Sequence, residues 1–199
     1  MRCSNAGIVA IALISFCWAG PQGASAATVE TAGATRCAIS GWSNDRDPAG
    51  LNVRAAPRKD AQVIGRIPPP QDQGSDSYAA EFKIIGSRDG WLLISGAKFA
   101  DYGAGKDGPV LFPGSGWVFA DKVRFLINAP DLRSAPDTGA PTVMKLYTPD
   151  MTSGPDSATI DHVFGCAGEF ADVVAHIRQG PRARGWAHRI CSNQVTTCP

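Results

Sequence analysis

Asn52-Val53-Arg54-Ala55-Ala56-Pro57 recurs as Asp131-Leu132-Arg133-Ser134-Ala135-Pro136, 79 residues further along the chain. The same offset carries Val63-Ile64-Gly65-Arg66-Ile67 onto Thr142-Val143-Met144-Lys145-Leu146. It carries Ile84-Ile85-Gly86 onto Val163-Phe164-Gly165, and Trp91 onto Phe170. No gap is needed from Asn52 to Ile94, and each copy closes on a Gly-Trp pair, Gly116-Trp117 and Gly185-Trp186. A repeat of this length is a small domain rather than one turn of a solenoid. The chain therefore reads as two tandem copies of one unit, residues 37–126 and 127–199.

Each unit reads as short strands broken by turns. Leu51-Asn52-Val53-Arg54 alternates apolar and polar residues, the period of a half-buried strand, and Ala55-Ala56-Pro57 stops it. Cys37 to Trp42 precedes it as a further strand. Phe82-Lys83-Ile84-Ile85 and Trp91-Leu92-Leu93-Ile94 flank Ser87-Arg88-Asp89-Gly90 as a hairpin. Gly116-Trp117-Val118-Phe119 closes the unit. Between them, 96–115 reads as a long irregular insert with five glycines and two prolines. No amphipathic helix is evident, and short strands with Gly/Pro turns point to all-β barrels.

Residues 1–26 read as a secretory signal peptide: Arg2, an apolar run from Gly7 to Trp18, then Ala24-Ser25-Ala26 before the expected cleavage site. The apolar run is shorter than the roughly 20 residues of a membrane span. Residues 27–36 are small and polar and read as a mobile leader. Removing 1–26 takes away Arg2 and no acid, so the formal charge of +1 falls to 0. A neutral chain gives no electrostatic reason to expect nucleic acid or an anionic membrane as partner. The expected location is exported, periplasmic or secreted.

Of six cysteines, four lie beyond residue 26: Cys37, Cys166, Cys191 and Cys198. An even count in an exported chain reads as two disulfides. The spacing favours Cys191–Cys198 with Cys37–Cys166, against Cys166–Cys191 with Cys37–Cys198. No Cys-x-x-Cys pair supports zinc, and no cofactor motif is present.

Leu51-Asn52-Val53-Arg54-x-x-Pro57, Val63-Ile64-Gly65, Asp89-Gly90-Trp91-Leu92 and Gly116-Trp117-Val118, taken in order, resemble the bacterial SH3-like (SH3b) domain. The second copy carries the resemblance through Asp131 to Pro136 and Gly185-Trp186, with Phe170 where Trp is usual. The resemblance implies two small, partly open SH3-like barrels. It also implies a binding or targeting module of the cell envelope, with peptidoglycan peptides or an envelope protein as partner. The alternative is a secreted protein–protein adaptor or inhibitor. A Cys/His nucleophile needs a free thiolate beside a base. The four cysteines are assigned to disulfides, so no enzyme activity is expected.

The candidate ligand-binding residues are Phe99, Tyr102 and Phe112 in the insert, beside Trp117, with Trp42 and Asp45 lining the same groove if the first strand lies alongside. Aromatics on loops are typical of recognition surfaces. The equal alternative reading is that these rings fold down as a lid on an open barrel end. Asp45 and Asp47 read as turn residues capping backbone amides rather than calcium ligands. His162, His176 and His188 fall in the second copy without metal-ligand spacing. Arg178, Arg182, Arg184 and Arg189 form a basic cluster there, read as a solvated loop, with a carboxylate ligand as the other possibility.

Overall fold

The computed structural model describes residues 27–73, 76–102, 106–195 and 198. The expected signal peptide, with Cys3 and Cys17, lies outside the described residues. The strands are β1 (Thr35–Ser43), β2 (Leu51–Arg54), β3 (Val63–Ile67), β4 (Gln71–Gln73), β5 (Asp76–Tyr78), β6 (Glu81–Arg88), β7 (Trp91–Asp101) and β8 (Lys106–Phe119). They continue with β9 (Val123–Arg124), β10 (Leu126–Ile127), β11 (Asp131–Arg133), β12 (Thr142–Lys145), β13 (Ala158–Ala167), β14 (Phe170–Ile177), β15 (Ala183–Ala187) and β16 (Ile190–Cys191). The helical segments among the described residues are single 3₁₀ turns at Ala120–Lys122 and Pro155–Ser157. The protein is all-β, and its sheet curls as a half-barrel.

The repeat is visible in the hydrogen bonding. The first half contains the order β3-β2-β8-β7-β6, extended by β1 and β9, and the second half has β12-β11-β15-β14-β13. Val53 pairs with Gly65, and its counterpart Leu132 pairs with Met144. After each first strand the chain turns in the same way. The Arg54 guanidinium donates to the Ala61 carbonyl at 2.8 Å, and that of Arg133 to the Ala140 carbonyl at 3.0 Å. The Ala55 N–H donates to Gln62 O and the Ser134 N–H to Pro141 O, both at 2.9 Å. A half-buried arginine reaching across a turn satisfies a carbonyl that would otherwise lack a donor, which accounts for Arg at the start of the Arg-x-x-Pro turn in both copies.

Two parts of the chain differ from the reading of the sequence. The stretch 96–115 is not an irregular loop. β7 and β8 continue as a long ribbon, with Ala97 opposite Phe112 and Lys98 opposite Val110. Ala97 and Phe99 are buried while the residues between and around them are not, so the period of 2 persists beneath the glycines. Residues 27–36, expected as a mobile leader, are bound to the first half. Glu30 N–H donates to Ala55 O at 2.8 Å, and Thr35 opens β1. Glu30 also pairs with Arg58 at 3.2 Å and with Arg88.

The leader is held because β7 is apolar on both faces. Leu92 and Ile94 enter the main core, whereas Trp91 and Leu93 point the other way and cluster with Trp117. Val29 and Ala34 pack on that second cluster, and the Trp117 indole N–H donates to Glu30 O at 2.7 Å. A buried indole N–H needs such an acceptor. The main core is continuous across both halves, from Cys37 and Ile39 through Phe125 and Leu132 to Val173 and Ala187. The disulfides are Cys37–Cys166 and Cys191–Cys198. Beside the first, the Ala38 N–H donates to Gly168 O at 2.7 Å and the Gly168 N–H to Arg36 O at 2.8 Å. The Ser87 hydroxyl donates to Cys166 O at 2.8 Å and accepts the Cys166 N–H at 3.0 Å.

Candidate functional site

Where β1 ends, Trp42 is half-buried and the chain enters the turn Asn44 to Gly50. This turn is built as its composition dictates: the Asp47 N–H donates to Asp45 Oδ1 at 3.3 Å and the Ala49 N–H to Asp47 Oδ1 at 2.9 Å. These are Asx turns. They present Asn44 and Arg46 outward. Facing them is Pro69-Pro70, which cannot extend β3 as a paired strand because proline lacks the N–H. Between these walls lies a groove of about 470 Å³, lined by Trp42, Asn44, Arg46, Pro69, Pro70, Asp72, Ser77 and Gln194 among others.

Gln194 comes from the far end of the chain. The Cys191–Cys198 bridge closes a small loop that places its amide on Ala79. Gln194 Nε2 donates to Ala79 O at 3.0 Å, and the Ala79 N–H donates to Gln194 Oε1 at 2.9 Å. Behind it stands Tyr102, whose hydroxyl donates to Glu81 Oε1 and accepts the Gln194 N–H at 3.1 Å. The Ser192 hydroxyl donates to Glu81 Oε2 at 3.0 Å. Tyr78 and Tyr102 pack with ring centroids 5.0 Å apart. Burial, followed by the Glu81 carboxylate, pushes the Tyr102 phenol up to about 12.

The groove combines an indole and two prolines, which give apolar contact at low entropic cost, with two exposed charges of opposite sign. Neither Arg46 nor Asp72 has an ion-pair partner among the described residues. Its lining residues include no histidine or cysteine. Such a surface can hold a short chain that carries both a carboxylate and an amine.

Of the residues singled out in the sequence, Trp42 lines this groove. Asp45 does not; it is buried, pairs with Lys122 at 3.0 Å and faces a smaller pocket of about 200 Å³ bounded by Trp91 and Phe119. Tyr102 reaches the groove only through Gln194. Phe99 is 5% exposed and belongs to the core. Phe112 packs against Gly65, where an added Cβ would come within 2.6 Å of its ring. Trp117 is fully buried under the leader. Arg46, Pro69, Pro70, Asp72 and Gln194 were not singled out.

The histidines of the second copy do not converge. His162 pairs with Asp121 at 3.2 Å, His176 with Asp161 at 3.0 Å, and His188 stacks near Phe170. In the basic cluster, Arg182 is paired with Asp161 and Arg184 with Asp172. Comparison with protein-family models, with curated proteins and with solved structures gives no match.

Proposed function

We propose that this protein is an exported, non-enzymatic binding module of the cell envelope, built from two SH3b-like units, and that the Trp42 groove takes a short peptide bearing both charges. The stem peptides of peptidoglycan have that chemistry: small side chains, free carboxylates and amines. The observation that carries the reading is the groove itself, with Arg46 and Asp72, neither ion-paired among the described residues, flanking an indole and a proline pair. The two disulfides are consistent with an oxidising, exported compartment. No helix among the described residues is long and apolar enough to cross a membrane. The repeated strand order and the shared Arg-x-x-Pro turns support two copies of one unit.

The test is co-sedimentation of the oxidised chain from Ala27 with purified sacculi across a salt series. Saturable pelleting at physiological salt is expected. Trp42→Ala, which removes the apolar floor, weakens it by about tenfold or more, and Arg46→Ala weakens it at low salt and flattens its salt dependence. Absence of pelleting at any salt removes the wall ligand.

A further inference from the structure

The 79-residue offset pairs Gly65 with Met144 and Lys98 with Ile177. In the first half the space over Gly65 is filled by the Phe112 ring, which the long β8 carries there opposite Ala97. The long ribbon that carries that ring has no counterpart among the described residues of the second half. β14 stops at Ile177, the chain turns, and β15 begins only at Ala183. What remains is a pocket of about 420 Å³, with Met144, Ile177, Tyr147 and Pro181 in its walls and Lys145 and Arg178 among its lining residues.

The two cations carry the chemical information. The Lys145 ammonium lies 5.5 Å from the Tyr147 ring centroid, and Arg178 Nε donates to the Ser153 hydroxyl at 2.7 Å. Among the described residues neither has an ion-pair partner, unlike Arg182 and Arg184 close by in sequence. A pocket whose first-half counterpart holds a phenyl ring, rimmed by two cations with no ion-pair partner among the described residues, is complementary to an aromatic group beside a negative charge. Met144 adds an adaptable thioether wall of the kind suited to packing against a ring.

We propose that this pocket docks a segment of a partner protein that presents an aromatic side chain next to a carboxylate. The proposal is independent of the Trp42 groove, since stem peptides carry no such ring. It gives the second half a ligand of its own.

The test is a nuclear magnetic resonance titration of the ¹⁵N-labelled, oxidised chain from Ala27 with N-acetyl-phenylalanine, N-acetyl-phenylalaninamide and D-alanyl-D-alanine. N-acetyl-phenylalanine is expected to shift the amides of Lys145, Tyr147, Arg178 and Gly180 saturably, with a Kd of about 1 mM for so small a probe. Lys145→Glu, at an exposed position, weakens this by about tenfold while leaving the rest of the spectrum in place. The neutral amide binds correspondingly more weakly. The proposal is overturned if those amides do not move, or if the carboxylate and the amide bind equally. It is also overturned if D-alanyl-D-alanine shifts them more strongly than the aromatic probe. Shifts by D-alanyl-D-alanine at Trp42 and Gln194 report on the groove alone, so the two readings fail separately.

Discussion

The hydroxyl of Tyr102 joins three separate segments: it donates to Glu81 on β6, it receives the Gln194 N–H from the C-terminal loop, and its own residue ends the β7 side of the ribbon. Its pKa, pushed up to about 12 by burial and by the Glu81 carboxylate, has a definite consequence. The unfolded phenol ionises near the ordinary value of about 10, so between that pH and about 12 the folded state holds a proton that the unfolded state has released. Stability from this group is complete below pH 10 and is lost as pH rises through about 12. In a near-ultraviolet titration of tyrosinate, one of the three tyrosines is expected to ionise late, and Tyr102→Phe should remove that late step. Urea unfolding from pH 9 upward should show the wild type losing stability that the variant does not. A late step that persists in Tyr102→Phe would assign the shift elsewhere.

At the scale of elements, the contacts hardest to read from sequence are those that join distant segments. In the first copy, β2, β6 and the start of β7, with the Arg-x-x-Pro stop, were legible because local period and turn residues set them. The ribbon was not, because five glycines and two prolines in 96–115 hide the alternation of Ala97 and Phe99. The leader was not, because nothing local to Val29 and Glu30 announces that Trp117 needs an acceptor. Of the groove, only Trp42 was legible; Gln194 meets Ala79 across 115 residues. The cysteines were the exception, since their small number leaves few pairings. Cys37–Cys166 spans 129 residues, and in the chain-entropy account closing so long a loop stabilises by about 5 kcal/mol, against about 2.5 for the short Cys191–Cys198 loop. Replacing Cys37 and Cys166 together by Ala is expected to lower the unfolding free energy by about 3–5 kcal/mol, read from urea denaturation. A loss no larger than that from replacing Cys191 and Cys198 would mean that chain entropy is not what the long bridge supplies.

For the molecule as a whole, the repeat and the core make opposite suggestions. Two copies of one strand order invite the picture of two beads. The buried residues instead run without interruption from Cys37 to Ala187, and β1 of the first half is bonded to Gly168 of the second. Urea unfolding is therefore expected to be a single transition, coincident by tryptophan fluorescence and far-ultraviolet circular dichroism. Two resolved transitions would show that each half stands alone. The Gln194 amide bears on a different property of the whole. Presenting N–H to a carbonyl and carbonyl to an N–H of one residue, it acts as a surrogate peptide unit laid against the backbone at Ala79. An all-β chain carries its aggregation hazard in backbone left open to an incoming strand. At Ala79 that opening is covered from within by the loop that the Cys191–Cys198 bridge braces.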